Sequence, residues 1–374
     1  MIKIAQLLKS IIVEGGGVFK DDPEYQTNDI DRNDIELTIE KFTQELTRIF
    51  KQKKESIQAI NSKDNWLGST GTAFKSGDID IAYSVKHFFV DPNTPKESFT
   101  FTDKKGTETE VQIQADLAGW GIDKDSYIQL YTKYRLAAKS ASDEQLQLRT
   151  VIALIIQKVN SQSKTLYASD KSSGAGSIHF SFPQYLKSGE TSGRAQLDLD
   201  IGDMDWLKFR YNSELPKIDS ENEKYLRTLE AASKEYYKNP NDPDSRDIEK
   251  LASKYGIENI EDLKKALIKG LHRGQLMLAM FAAVGYTFKS GKGFIQKATG
   301  EVVAETPKET IEVFNAQYNP TQPLTMDIVR NYDRLMQYIK DNLKEDEKQA
   351  TIDMFKKQVK NAKAYEPDNV NINQ

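Results

Sequence analysis

The stretch that decides the fold of this chain reads Leu67-Gly68-Ser69-Thr70-Gly71-Thr72-Ala73-Phe74-Lys75-Ser76-Gly77-Asp78-Ile79-Asp80-Ile81-Ala82. Its final residues alternate between acidic and apolar side chains. On a β-strand, successive side chains point to opposite faces of the sheet. The alternation therefore places Asp78 and Asp80 on one face and Ile79 and Ile81 on the other. The apolar face favours a strand that is buried at the centre of a sheet.

Two carboxylates on one strand face repel each other, and a shared divalent cation would remove that repulsion. Hard oxygen ligands suit Mg²⁺ best. The turn at Gly68 and Ser69 offers backbone N–H groups and a hydroxyl, which are donors that bind phosphate. The strand and the turn together predict metal-assisted phosphoryl or nucleotidyl transfer. The alternative is an exposed strand face that binds no ion.

A third carboxylate is expected from a later segment, Gln196-Leu197-Asp198-Leu199-Asp200-Ile201, which also alternates like a strand. Asp198 and Asp200 share one face of it. Two cations about 3.5–4 Å apart can be bridged by three carboxylates and a triphosphate. Either aspartate could complete such a site, and a solvated acidic edge is the alternative interpretation of this segment.

The composition limits the classes of function. Among 374 residues, 52 Lys and Arg stand against 56 Asp and Glu, so the net charge of −4 gives no bulk electrostatic attraction to nucleic acid. The absence of cysteine excludes disulfides, thiolate nucleophiles and Cys-zinc sites. The N-terminus lacks the pattern of a signal peptide, and no apolar run approaches the roughly 18 residues of a membrane-spanning helix. We therefore expect a cytoplasmic protein without membrane contact.

The histidines give little support for a separate catalytic centre. His87 and His179 stand apart in the sequence, and a zinc site would need more nitrogen or sulfur ligands than they offer. His272 and Arg273 begin an apolar helical stretch, where such residues are more often structural or solvated than catalytic. These residues are therefore expected to serve the fold.

The hydrophobic periodicity predicts an α+β fold, in which helices pack around a small mixed sheet that carries the aspartates. The predicted elements are a helix over 34–60, strands over 78–85, 177–182 and 195–201, an extra hairpin within 88–114, two helices within 124–160, broken helices over 219–284, a hairpin over about 285–304 that turns near 298–300, and helix over 326–362. The chain therefore ends in a mainly helical region.

The order of these motifs resembles the polymerase-beta-type nucleotidyltransferase superfamily. There, Gly-Ser or Gly-Gly precedes an Asp-x-Asp strand, and a third acidic residue lies on a following strand. Eight residues separate Ser69 from Asp78, slightly fewer than that superfamily usually has. A looser similarity to uncharacterised nucleotidyltransferases of tailed bacteriophages runs over much of residues 1–305. It is carried by residues 11–16, 67–82, 195–198, 205–209 and 298–303.

The resemblance implies two domains and a reaction. Residues 1–215 would form the catalytic domain, with insertions at about 86–176, and residues 216–374 a mainly helical domain. A nucleoside monophosphate would pass from a nucleoside triphosphate to a hydroxyl acceptor, with release of pyrophosphate. The acceptor stays open among an RNA 3′ end, a protein and a small molecule. The setting would be the cytoplasm, or the host cytoplasm if a phage encodes the chain.

The resemblance also assigns roles to residues. Asp78 and Asp80 would hold two Mg²⁺ ions, and Asp198 would complete one metal site and help to deprotonate the acceptor. Asp198 is preferred to Asp200 because it matches the apolar-Asp-apolar strand of the superfamily. The triphosphate-binding residues would be Gly68, Ser69, Thr70 and Lys75. The alternatives are a non-catalytic nucleotide-binding or virion-associated module on the same fold, and a Mg²⁺-binding scaffold without nucleotide.

Overall fold

The computed structural model describes residues 17–19, 22–138, 141–170, 176–238, 240–289 and 293–368. The protein has the α+β architecture that the sequence predicts, with small sheets and a helical C-terminal region. The segment 11–16, which contributes to the phage-type similarity, lies outside the described residues. Among the described residues, no helix is both long enough and apolar enough to cross a bilayer.

The chain forms two compact units, one that ends at Leu207 and one that begins at Lys208. The boundary predicted from the sequence lies at residue 215. The helices and strands of the first unit are, in chain order, β1 (Ile30–Asp31), α1 (Arg32–Ile49), α2 (Lys54–Gln58), β2 (Lys75–Ser76), β3 (Ile79–Ser84), β4 (Ser98–Thr102), β5 (Glu108–Gln112), α3 (Leu117–Trp120), α4 (Lys124–Ala137), α5 (Asp143–Gln162), β6 (Tyr167–Ala168), β7 (Ser177–Tyr185) and β8 (Thr191–Gly202). Short 3₁₀ turns at Lys51–Lys53, Ala59–Asn61, Lys63–Asn65 and Val85–Phe88 join some of them.

A mixed four-stranded sheet in the order β3-β8-β7-β6 is the centre of this unit. β3 and β8 are parallel, whereas β7 is antiparallel to both β8 and β6. A parallel pair needs a crossover connection, and this one contains the hairpin β4–β5 and the helices α3, α4 and α5. The strands, the extra hairpin and the two helices of the 124–160 region are therefore confirmed. The register of β3 and β8 sets Ile79 beside Leu197 and Asp80 beside Asp198.

The apolar side of the sheet is covered by α1, whose buried face includes Ile35, Ile39, Phe42 and Leu46. The ring of Phe42 packs edge-on against Phe180 and Phe182 of β7. Aromatic pairs in this geometry add stabilisation beyond the area that they bury. Because α1 covers the apolar face, the opposite face of the sheet is left to carry polar side chains.

The prediction of one helix over 34–60 is wrong, because α1 ends at Ile49. Phe50 leaves the helical conformation, with φ −116° and ψ 64°. Its buried ring packs edge-on against Trp120, with the ring centroids 5.1 Å apart. Beyond the break, Ile57 and Ile60 are also buried. The continuing apolar residues thus belong to a second, shorter helical segment and not to a straight continuation of α1.

The second unit is mainly helical. α6 (Met204–Tyr211) carries the chain from Leu207 to Lys208. It is followed by α7 (Glu223–Lys238), α8 (Pro243–Arg246), α9 (Ile248–Tyr255), α10 (Ile260–Leu267), α11 (Gly270–Ala283), β9 (Tyr286–Lys289), β10 (Gly293–Gln296), β11 (Val302–Ala304), α12 (Pro307–Tyr318), α13 (Met326–Arg330), α14 (Tyr332–Asn342) and α15 (Glu345–Asn361). The buried helix α11 packs against α14, α15 and β9.

Two details of this unit differ from the expectation. The hairpin of 285–304 is a three-stranded antiparallel sheet in the order β11-β10-β9. The predicted helix over 326–362 is three helices, α13 to α15. Asn331 caps α14 by accepting a hydrogen bond from the Arg334 N–H, and the Lys344 N–H donates to the Glu347 carboxylate at 3.1 Å where α15 begins. These caps satisfy exposed helix-end donors, which makes the breaks favourable.

Candidate metal centre

Three aspartates come together at the pair of parallel strands. Asp78 directly precedes β3, Asp80 lies within it, and Asp198 stands opposite Asp80 on β8. Each residue offers a carboxylate oxygen, and these oxygens all lie within 4.8 Å of one another. Asp78 and Asp198 are buried and Asp80 is half-buried. We call this group the aspartate triad.

Asp200 does not belong to the triad. It stands two residues farther along β8, opposite Ala82. The choice between Asp198 and Asp200, which the strand pattern alone leaves open, thus acquires a geometric basis. The parallel pairing of β3 and β8 in the observed register brings Asp198 level with Asp80.

The Gly-Ser turn is docked on the edge of β3. The Leu67 N–H donates to the Asp80 carbonyl at 2.9 Å, and the Asp80 N–H donates to Thr70 Oγ1 at 2.8 Å. Just before the turn, Trp66 forms an antiparallel β-bridge with Ile81. These bonds satisfy the edge of β3 and hold the turn next to the triad. The buried hydroxyl of Thr70 therefore fixes the turn to the strand.

Gly68 makes the close approach between turn and triad possible. Its φ is +60°, which L side chains rarely adopt, and a Cβ atom there would lie 3.1 Å from Asp80 Oδ2. Gly68 and Ser69 are exposed. In the part of the chain that the structure describes, their backbone N–H groups donate to no acceptor. Two N–H groups thus lie available for an anion in the turn that touches Asp80.

Ser69 and Lys75, which are also predicted to contact phosphate, lie in different surroundings from each other. The Ser69 side chain contacts Ser76 Oγ at 3.4 Å, and the Ser69 carbonyl accepts a hydrogen bond from the same hydroxyl. Lys75 is exposed and lies on β2, where it pairs with Asp31 of β1. Ser69 is therefore part of the turn beside the triad, whereas Lys75 lies on a neighbouring two-stranded ribbon.

Two residues outside the predicted site contact Asp198 directly. His179 Nδ1 lies 2.8 Å from Asp198 Oδ1, and the Gln196 amide donates to both oxygens of Asp198 at 2.9 and 3.1 Å. Burial alone would lower the pKa of His179, but the carboxylates of Asp198, Asp200 and Asp78 raise it above the ordinary value. His179 and Gln196 therefore form the immediate surroundings of the third carboxylate.

The sequence carries no signal that pairs His179 with Asp198. Next to the hairpin turn Tyr185 lies opposite Thr191, and counting outward from that pair would set His179 opposite Leu197. An irregularity between Pro183 and Tyr185 shifts the register of β7 and β8 by one residue and brings His179 opposite Asp198 instead. Such a β-bulge adds one residue to one strand of the pair, so the position of the turn alone does not connect this histidine to the triad.

His272 and Arg273 bond to the local backbone, and the ring of His87 packs beside Tyr83. His272 is fully buried and bonds the Lys269 N–H and the Tyr365 carbonyl. Burial lowers the pKa of His87, and the nearby Lys53 lowers it further. Arg273 is fully buried and donates to the carbonyls of Phe209, Arg210 and Asn212. A cation at the C-terminal end of a helix, here α6, is favoured by the helix dipole.

The triad has the donor chemistry of a site for a hard divalent cation, since three carboxylates supply oxygen ligands of the kind that Mg²⁺ and Ca²⁺ prefer. A further observation agrees with this chemistry. Gln196 Oε1 is buried and has no hydrogen-bond partner among the described residues. A buried amide oxygen normally has a donor, and water on a cation would provide one.

A comparison of the chain with protein-family models, with curated proteins and with solved structures gave no match. The arguments for function therefore come from the triad, the turn and their surroundings.

Proposed function

We propose that the chain is a Mg²⁺-dependent nucleotidyltransferase that transfers a nucleoside monophosphate from a nucleoside triphosphate to a hydroxyl acceptor. The observation that carries this proposal is the convergence of three carboxylates beside a turn with unused N–H donors. A mixed sheet with an Asp-x-Asp strand next to a second acidic strand agrees with the polymerase-beta-type superfamily that the sequence resembles. We include that family membership, and the similarity to phage proteins, in the proposal.

The residues present fit the cations that this chemistry needs. Asp78, Asp80 and Asp198 would hold the Mg²⁺ ions, and each has an oxygen within 4.8 Å of the others. When bound, such ions neutralise phosphate charge and favour an ionised hydroxyl. The buried positions of Asp78 and Asp198 keep the carboxylates fixed and reduce the competition from water.

The turn would receive the triphosphate. The N–H groups of Gly68 and Ser69 would bind its terminal phosphates, as backbone donors do in other anion sites. Thr70 holds this turn to the Asp80 backbone, so the phosphates and the carboxylates keep a fixed relation. Lys75 would act as a point charge that attracts the triphosphate.

The reaction forms a bond between the acceptor oxygen and the α-phosphorus and breaks the bond between that phosphorus and the bridging oxygen. Pyrophosphate leaves with the bonding electron pair, and the acceptor proton passes to the Asp198 carboxylate. Phosphoryl transfer needs positioning and charge neutralisation more than covalent help from the protein. A chain without cysteine and with three histidines is therefore compatible with this activity.

The acceptor and the setting belong to the proposal as well. An RNA 3′ end, a protein hydroxyl and a small molecule all offer the required nucleophile, and the net charge of −4 favours none of them strongly. A cytoplasmic setting supplies both the triphosphates and Mg²⁺.

To test this proposal, the purified chain is incubated with each α-labelled nucleoside triphosphate, Mg²⁺, and a mixture of RNA and host lysate, and the transfer of label is measured. The matched variants are Asp198→Asn and Asp200→Asn, which change the same charge on the same strand face. We expect label transfer by the wild-type and Asp200→Asn proteins, and loss of transfer in Asp198→Asn and in Asp78→Asn/Asp80→Asn.

The other outcomes contradict the proposal. If no protein transfers label while the wild type binds triphosphate, the chain is a non-catalytic nucleotide-binding module. If Asp200→Asn loses transfer and Asp198→Asn keeps it, the assignment of the third carboxylate is wrong. If neither triphosphate nor a divalent cation binds, the triad has no nucleotide role.

A further inference from the structure

The carboxylate of Asp198 is held by two side chains that the proposed reaction does not use. Gln196 Nε2 lies 2.9 and 3.1 Å from the two oxygens of Asp198. His179 Nδ1 approaches one of those oxygens to 2.8 Å. Contacts from two sides restrict rotation of the carboxyl group. Asp198 is thereby more constrained than an aspartate that only extends from a strand.

Gln196 combines this contact with an unsatisfied atom. The residue is 2% exposed, and its Oε1 has no hydrogen-bond partner among the described residues. In the parallel register Gln196 stands one position before Leu197, level with Asp78. A buried amide oxygen without a donor destabilises the folded protein. Its position between two triad residues suits a donor that arrives with a ligand, such as water bound to a cation.

His179 completes the support on the other side of Asp198. Ser177 Oγ lies 3.0 Å from His179 Nε2. If the hydroxyl donates to Nε2, the ring carries its proton on Nδ1, which faces Asp198. The Nδ1 atom is at ion-pair distance from the carboxylate but makes no directed hydrogen bond.

We propose that His179 and Gln196 are positioning residues that fix the orientation of the Asp198 carboxylate for a divalent cation, and that Gln196 Oε1 accepts a hydrogen bond from water on that cation. This inference rests on the proposed function, because it needs a cation at the triad. Residues that orient metal ligands through hydrogen bonds typically change metal affinity about 10–100-fold when they are removed. The same range is expected for both side chains.

The test measures Mn²⁺ binding by the full chain, with Mn²⁺ alone as the probe, by electron paramagnetic resonance. His179→Leu and Gln196→Met remove the polar groups and keep similar volume. Each should weaken Mn²⁺ binding about 10–100-fold. His179→Asn keeps an N–H close to the position of Nδ1 and should restore the wild-type affinity. A merely structural role for the ring would not be rescued by this smaller amide.

Controls separate this inference from the proposed function. Asp200→Asn should bind Mn²⁺ as the wild type does, and Asp198→Asn should bind it much more weakly. If Asp198→Asn loses affinity but His179→Leu and Gln196→Met keep it, the positioning role is wrong and the cation site stands. If the wild-type chain binds no Mn²⁺, or Asp198→Asn binds it equally well, the cation site and the positioning role are both wrong.

Unfolding measured in EDTA checks that each variant is folded. If Gln196→Met does not fold, Gln196→Asn replaces it, because the shorter amide keeps the polarity and withdraws from Asp198. Full Mn²⁺ affinity in a folded Gln196→Asn protein would contradict the role of Gln196. A His179→Asn protein that binds Mn²⁺ as weakly as His179→Leu would contradict the role of the Nδ1 proton.

Discussion

Replacing Asp80 by asparagine should stabilise the protein when no divalent cation is available. The substitution keeps the shape of the side chain and removes one of three negative charges whose oxygens lie within 4.8 Å of one another. Like charges at such distances destabilise the folded state unless a cation compensates them. Sites that are arranged for binding are often built at the expense of stability.

The size of the effect follows from Coulomb's law. At 4.8 Å and an effective dielectric constant of about 20, two unit charges repel by about 3.5 kcal/mol. Asp80 takes part in two such pairs but is half-buried, so solvent screens part of the repulsion. We expect a net gain of about 1–3 kcal/mol in the free energy of unfolding. For a unit of this size, that gain raises the melting temperature by about 2–4 °C per kcal/mol.

The assay is thermal unfolding in EDTA, followed by titration with Mn²⁺. Asp80→Asn should melt above the wild type in EDTA, whereas the wild type should gain more stability as Mn²⁺ is added, so that the two curves cross. Asp200→Asn, on the same sheet but outside the triad, is the matched control. A plot of its melting temperature against Mn²⁺ concentration should cross neither that of the wild type nor that of Asp80→Asn. A lower melting temperature for Asp80→Asn in EDTA, with an equal Mn²⁺ response in both proteins, would refute the reasoning.

Three further predictions concern the turn and the C-terminal unit. Gly68→Ala should lower the Mn²⁺ affinity and the rate of nucleotidyl transfer, because its Cβ would lie 3.1 Å from Asp80 Oδ2. The control is Gly106→Ala, where φ is +83° and no atom lies within 4 Å of the added Cβ. It should lose only about 1–2 kcal/mol in free energy of unfolding, which is the cost of a left-handed backbone to an alanine. Burial lowers the pKa of His272 from 6.5 to about 4, so the unfolded chain takes up the proton first as the pH falls. About 3 kcal/mol of the free energy of unfolding should therefore be present above pH 6.5 and be lost as the pH falls towards 4. Urea unfolding across this pH range should show a smaller loss of stability in His272→Gln than in the wild type. Arg273→Met should reduce the urea midpoint by the equivalent of about 3 kcal/mol, because three carbonyls at the end of α6 lose their donor; an unchanged midpoint would contradict that role.

The local part of the site could be predicted from the sequence. The alternation of Asp78 and Asp80 with apolar residues defines both the strand and its acidic face, because side-chain direction on a strand has a period of two. The glycine at position 68 marks a turn with positive φ, as the structure has it. Such features depend only on residues that are near each other in the chain.

The rest depends on contacts between distant residues. Nothing in the spacing of Asp80 and Asp198 states that β3 and β8 are parallel, since a crossover of this length permits several registers. His179 appears isolated in the sequence and becomes a neighbour of Asp198 only through the β7–β8 pairing. The break after Ile49 is likewise caused by packing of Phe50 against Trp120, which overrides the helical periodicity of residues 34–60.

The most direct measurement of the central claim is anomalous diffraction from crystals of the chain grown with Mn²⁺ and a non-hydrolysable nucleoside triphosphate analogue. We expect anomalous peaks about 2 Å from the carboxylate oxygens of Asp78, Asp80 and Asp198. We also expect the terminal phosphates of the analogue to contact the N–H groups of Gly68 and Ser69. An analogue bound elsewhere, with no anomalous density between the three carboxylates, would contradict the proposed cation site and its role in nucleotide binding.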